Sequence, residues 1–305
     1  MKKPLIVLTG PTAVGKTRLS ISLAKAIGGE IISADSMQVY KYMDIGSAKI
    51  LPEEMQGVPH YLVDELMPEE EFHIVRFQQM AKDAMEKIYT RGHIPILVGG
   101  TGFYIQAVTR DIDFTSSDQD EHYRRELEEL AEQKGPAFLH DMLAKVDPKS
   151  AEDIHENNVK RVIRALEFYK QNGTRISEHN EEQKEHTSPY ALAYFVLNAP
   201  RPLLYERIDT RVDEMLKNGL TEEVKKLREM GCHRGMVSMQ GLGYKEILDW
   251  MDGNYSYEEA VRVLKRDTRH FAKRQLTWFR RDAEIRWFGP DQTGAIINYI
   301  DFGES

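Results

Sequence analysis

Gly10-Pro11-Thr12-Ala13-Val14-Gly15-Lys16-Thr17 fits the pattern G-x-x-x-x-G-K-[ST]. The apolar run Leu5-Ile6-Val7-Leu8 precedes it, and Leu19, Leu23, Ala24 and Ile27 follow on one helical face. Strand, glycine-rich loop and helix N-terminus is the order in which such a loop cradles phosphate. Successive backbone N–H groups turn inward there, and the helix dipole adds partial positive charge. The predicted diphosphate-binding set is Gly10, Thr12, Ala13, Val14, Gly15, Lys16 and Thr17. Lys16 brings a full charge, and Thr17 a hydroxyl for Mg²⁺.

Outward from the loop, Glu30–Ser33, Ile94–Val98, Tyr194–Leu197 and Ile285–Phe288 read as further buried strands, with helical patterns such as 74–90 between them. This alternation predicts an α/β fold, a P-loop NTPase-like core with a mostly parallel sheet. The strand rhythm stops between 114 and 188. Three amphipathic patterns occur there, carried by Tyr123, Leu127 and Leu130, by Phe138, Leu139, Met142 and Leu143, and by Val159, Val162, Ile163 and Leu166. The expected organisation is therefore a first core part, 1–113, a helical insertion domain, 114–188, and a second core part with a basic C-terminal helix, 189–305. The insertion's edges are polar, 115–118 and 185–189.

Cys232 is the only cysteine, which excludes an internal disulfide and a zinc site built on paired cysteines. No apolar stretch reaches membrane-spanning length and the chain enters a strand at once, so a cytoplasmic protein with no membrane partner is expected. A net charge of −8 argues against a polyanionic partner, but its distribution does not. Residues 262–281 hold eight Lys/Arg against Asp267 alone. Arg262, Arg266, Arg269 and Lys273 fall on one helix face, and a local basic face binds phosphates whatever the whole-chain sum.

The second strand ends in Ala34-Asp35-Ser36-Met37-Gln38-Val39-Tyr40, which places Asp35 near the loop, since ligands bind beyond the carboxyl ends of such strands. Its carboxylate suits a general base, a metal ligand or a helix cap. The third predicted strand ends in Gly99-Gly100-Thr101-Gly102, where the glycines let backbone approach a ligand. That strand lacks the acid expected of an ATPase.

These segments, with Arg161-Val162-Ile163-Arg164-Ala165-Leu166-Glu167, Gly243-Tyr244-Lys245-Glu246, Thr268-Arg269 and Ala272-Lys273-Arg274-Gln275-Leu276-Thr277-Trp278, closely resemble the bacterial tRNA dimethylallyltransferase family over nearly the whole chain. Glu156 and Lys160 stand where that family commonly has Pro and Gln. The resemblance implies transfer of a dimethylallyl group from dimethylallyl diphosphate to N6 of the adenosine immediately 3′ of the anticodon. Asp35 is implied as the base, with Thr101 and Arg211 completing the catalytic set and Arg211 reaching the diphosphate. Implied tRNA contacts are Asp35, Ser36, Met37, Gln38, Thr101, Arg124, Val159, Lys160, Arg161, Val162 and Ile163, together with Arg266, Arg269 and Lys273 from the basic helix. The expected partners are dimethylallyl diphosphate and the tRNA anticodon stem-loop, and the expected state is a monomer. The alternatives are a small-molecule P-loop kinase and an isopentenyltransferase acting on free adenylate.

Overall fold

A computed structural model describes residues 2–114, 121–282 and 284–300. The predicted polar edge at 115–118 lies outside them. The chain forms two compact units, Met1–Thr109 with Ser188–Ser305, and Arg110–Thr187.

In the first unit the chain runs through β1 (Pro4–Thr9), α1 (Lys16–Ile27), β2 (Gly29–Ala34), α2 (Pro52–Met55), β3 (His60–Tyr61), α3 (Ile74–Thr90), β4 (Ile94–Gly99) and α4 (Gly102–Thr109). The second unit carries α5 (Glu121–Lys134), α6 (Pro136–Val146), α7 (Pro148–Asp153), α8 (Val159–Asn172) and α9 (Ile176–Glu185). The first unit then resumes with β5 (Ala191–Leu197), α10 (Arg201–Lys217), α11 (Leu220–Glu229), α12 (Tyr244–Met251), α13 (Tyr257–Phe279), β6 (Arg286–Phe288) and α14 (Thr293–Tyr299).

The sheet is parallel in every pairing, in the order β3-β2-β4-β1-β5-β6. Its central strands are buried on both faces, which is why they read as continuous apolar runs. Alternation sends Leu5 and Val7 into a core with α3 and α4, and Ile6 and Leu8 into a core with α1 and α10. Register brings Thr9 and Ala34 level with Gly99, so the loops after β1, β2 and β4 leave the same edge of the sheet. His73 caps α3, its ring accepting from the Arg76 amide.

The second unit has its own core, centred on Leu127, Leu139, Leu143, Val162 and Leu166. Among the described residues it contains five helices where periodicity indicated three. Asp147, fully buried, knots it together by accepting hydrogen bonds from the amide and hydroxyl of both Ser150 and Ser177, at 2.7 to 3.0 Å.

Candidate active site

A cavity of about 590 Å³ opens at the carboxyl edge of the sheet. Three segments predicted from sequence meet there: Thr12, Ala13 and Gly15 of the loop after β1 with Lys16 and Thr17 opening α1, Asp35 and Gln38 from the loop after β2, and Arg211 from α10. Gly15 is the residue before α1 and has φ of 103°, a left-handed conformation that glycine adopts without strain. Gly10, Val14, Ser36, Met37 and Thr101 do not line the cavity. The Val14 side chain is fully buried in the α1-side core, so only its backbone can serve a phosphate. Met37 packs on the opposite core. Thr101 opens α4, its carbonyl accepting from the Tyr104 and Ile105 amides.

The electrostatics centre on three groups. Lys16 Nζ donates to the carbonyls of Gly10 and Pro11 at 3.0 and 2.9 Å. Burial, and then repulsion from Arg211, lower its pKa to about 8, with Asp35 partly opposing. Burial also lowers Arg211, against the attraction of Asp35 and Glu214. Arg211 makes no ion pair among the described residues, since neighbouring Asp209 and Asp213 hold Arg269 and Lys265 instead. Two cations crowded and desolvated around one carboxylate favour an arriving anion. Asp35 Oδ1 accepts from the Met37 and Gln38 amides at 2.8 and 3.4 Å, so it does cap its loop. Its Oδ2 has no hydrogen bond among the described residues, which leaves one oxygen for chemistry.

Sequence reasoning missed two contributors to the cavity wall. Arg207, four residues before Arg211 and on the same face of α10, lines the cavity with no ion-pair partner among the described residues. Helical spacing from Arg211 was the signal available for it. Gln275 of α13 is buried, accepting from the Thr12 amide at 3.0 Å and donating to the Gly100 carbonyl at 2.9 Å. It thereby ties the phosphate loop to the loop after β4.

The glycines after β4 were read as allowing a ligand close approach, and this is corrected for Gly102. A Cβ there would lie 2.2 Å from the Trp278 ring, so protein packing demands the glycine. Gly100 does line the cavity, yet a Cβ on it would lie 2.1 Å from Gln275 Nε2.

The expected RNA-contact residues divide. Lys160 and Arg161 are exposed on α8 and Val159 is half-buried. Val162 and Ile163 are 0% and 4% exposed, packed in the second unit's core, so of these two only the backbone is placed to meet RNA. Arg124 grips the buried Glu167 through two hydrogen bonds, at 2.9 and 2.8 Å, and so already has a structural task. Acids match the first half of the basic helix. Arg262 pairs with Glu259, Lys265 with Asp213, Arg266 with Asp267, and Arg269 with Asp209. Lys273 is exposed with no ion pair among the described residues.

A bound Mg²⁺ has a narrow fit. No group of three His, Cys, Asp or Glu among the described residues could hold a metal. The Thr17 hydroxyl and the Asp35 carboxylate share the cavity, so an ion here would take its remaining ligands from a substrate's phosphates and water, as Mg²⁺ commonly does. No helix among the described residues is long and apolar enough to cross a membrane.

Comparison with known proteins places this geometry. The profile of the family described as IPP transferase matches residues 38–282. A tRNA dimethylallyltransferase of Lachnoclostridium phytofermentans is 63% identical over 93% of this chain and 91% of its own length. One of Carboxydothermus hydrogenoformans is 52% identical over 94% of this chain and 92% of its own. Among solved structures, the tRNA isopentenylpyrophosphate transferase of Bacillus halodurans is 47% identical with a TM-score of 0.75, covering 98% of this chain and 96% of that one. A eukaryotic dimethylallyltransferase acting on tRNA is 33% identical with a TM-score of 0.81, over 96% of this chain and 75% of that one. The chain belongs to the IPP transferase family.

Proposed function

We propose that this protein is a tRNA dimethylallyltransferase. It moves a dimethylallyl group from dimethylallyl diphosphate to N6 of the adenosine immediately 3′ of the anticodon, and releases diphosphate. The observation that carries this reading is the meeting of Lys16, Arg211 and Asp35 in one cavity, two desolvated cations beside a carboxylate with one unengaged oxygen. Family membership selects the prenyl donor over the nucleotide of a small-molecule kinase, and tRNA over free adenylate.

The chemistry follows from those groups. A bond forms between the adenine N6 and the allylic carbon of the donor as the carbon–oxygen bond to diphosphate breaks. Lys16, Arg211 and the loop amides neutralise the charge growing on the leaving diphosphate. Asp35 Oδ2 accepts the N6 proton, which otherwise would leave a cationic product nitrogen. The target base must leave its stack to reach Asp35 in the cavity. Thr17 and the donor's own phosphates would hold a Mg²⁺, which when bound would add to the neutralisation of the leaving group. On this reading the acting unit is a monomer in the cytoplasm, where tRNA resides.

The test is incubation with dimethylallyl diphosphate, Mg²⁺ and unmodified tRNA, followed by digestion and mass analysis of the nucleosides. One adenosine carrying a dimethylallyl mass is the expected result. Rapid tRNA-independent ATP turnover with no prenylated nucleoside would overturn the proposal.

A further inference from the structure

We infer that Glu223 and Tyr244 are positioning residues for the acceptor base, acting on Gln38 of the cavity wall through the turn 44–48; this rests on the tRNA reading above. None of Gly243, Tyr244, Lys245 and Glu246 lines the cavity. Their local chemistry is that of a fixed helix start. Gly243, at the head of α12, has φ of 95°, and the Glu246 carboxylate reaches back to accept from its amide at 2.8 Å. The fully buried Tyr244 ring then packs against Gly46, where an added Cβ would lie 2.5 Å from it.

The Tyr244 hydroxyl donates to Glu223 Oε1 at 2.8 Å and accepts from the Ser47 amide at 3.1 Å. Glu223, on α11, also accepts from the amides of Asp44, Ile45 and Gly46 at 2.9, 2.8 and 3.0 Å. Four successive amides of one turn thus end on two side chains from distant parts of the sequence. Burial, and then the charge of Glu223, hold the phenol pKa well above its ordinary value, so the hydroxyl keeps the proton it donates.

The turn needs such a clasp. Ala48 lines the cavity with φ of 45°, a left-handed conformation that residues bearing a side chain rarely adopt. Buried Lys49 secures the next position, donating to the Tyr40 carbonyl at 2.6 Å and to Asp44 and Asp64 at 2.5 Å each. The Ala48 carbonyl accepts from Gln38 Nε2 at 3.2 Å, while Gln38 Oε1 accepts from the Ser33 hydroxyl at 3.4 Å. These two bonds fix the amide and leave it one N–H and one lone pair for a ligand. A glutamine so presented suits an adenine edge. Diphosphate binding draws instead on the Lys16 and Arg211 cations, so the clasp should govern the acceptor and spare the donor.

Full-length Tyr244→Phe, Glu223→Gln, Glu223→Ala and Gln38→Ala, and the double variant Gln38→Ala with Tyr244→Phe, are compared in three measurements. These are thermal melts, pyrophosphate binding, and kcat/KM for an unmodified anticodon stem-loop at saturating dimethylallyl diphosphate. Tyr244→Phe keeps the ring and loses both hydroxyl bonds. It should lower kcat/KM for the stem-loop on the order of ten-fold, with pyrophosphate affinity within about two-fold of parental. Glu223→Gln, which keeps one acceptor oxygen, should lose less than Glu223→Ala. In the Gln38→Ala background Tyr244→Phe should cost nothing further, because no amide is left to position. If Glu223→Ala does not fold, Tyr244→Phe and Glu223→Gln carry the test. Losses that add in the double variant, unchanged stem-loop kinetics, or an equal loss of pyrophosphate binding would overturn the inference and leave the clasp a purely structural staple. A parent protein that binds pyrophosphate but transfers no prenyl group to the stem-loop would overturn the functional reading, and the inference with it.

Discussion

The Gln275 amide stands where a side chain on Gly100 would be, its Nε2 donating to the Gly100 carbonyl at 2.9 Å while its Oε1 holds the Thr12 amide. One buried residue thus sets the spacing between the phosphate loop and the loop after β4. Gln275→Glu puts a carboxylate against the Gly100 carbonyl and beside the diphosphate cradle. It should reduce turnover more than Gln275→Ala, which loses two hydrogen bonds and about 1–3 kcal/mol of stability. Urea unfolding and prenyl-transfer rates on both variants check this ordering.

Asp35 carries two tasks that one substitution separates. Asn retains an oxygen for the Met37 and Gln38 amides but cannot take up a proton. Asp35→Asn should keep near-parental stability while lowering the single-turnover rate by about 10²- to 10⁴-fold. Asp35→Ala should lose the rate and the loop cap together. Thermal melts alongside single-turnover assays at saturating substrates distinguish the two.

The lowered pKa of Lys16 gives opposite signs for binding and folding. In the free protein its ammonium deprotonates through about pH 8, so pyrophosphate affinity should fall as pH rises past that value. The unfolded chain keeps the proton up to the ordinary lysine value of 10.5, so between these limits it binds more protons than the folded state. The Lys16 contribution to stability should therefore grow with pH across that window. Lys16→Met should weaken pyrophosphate binding and remove both trends. Calorimetric titration and urea melts from pH 7 to 10 measure them, with the variant correcting for ionisation of pyrophosphate itself.

Asp147 should behave as a structural carboxylate. Burial would raise its pKa, but the hydrogen bonds from Ser177 and Ser150 outweigh that and hold it below the ordinary value. Its stabilising contribution is present above the unfolded pKa and lost as pH falls through the depressed folded one. Asp147→Ala leaves buried serine groups unsatisfied and should cost about 2–4 kcal/mol. Guanidinium unfolding followed by circular dichroism reads that loss, while pyrophosphate affinity should be retained.

Legibility in the sequence followed the range of the interactions involved. Four central strands and the phosphate loop announce themselves because apolar runs and glycine spacing are local signals. β3 has only His60 and Tyr61, too short for any period to register. α9 was invisible for a different reason, since Ile176 is its only apolar residue and it presents no stripe. Asp35, Lys16 and Arg211 were accessible through strand-end motifs and family resemblance. Gln275 was not, because its meaning lies in Thr12 and Gly100, far away along the chain. The same distance hid the matching of Arg269 and Lys265 by acids on α10.

The strand order sets a timetable for synthesis. β1, the first strand made, lies between β4 and β5, and β5 is encoded on the far side of the whole helical unit. A nascent chain can pair β1 with β2's neighbour β4 early, but the edge that receives β5 must wait until the second unit has left the ribosome. That unit is closed by contacts among its own helices, and so has what it needs to fold during the wait. Completion of the phosphate loop comes later still, because Gln275 and its α13 emerge near the end of the chain. A message truncated before α13 would therefore yield a protein with a nearly whole sheet and an unfastened cradle.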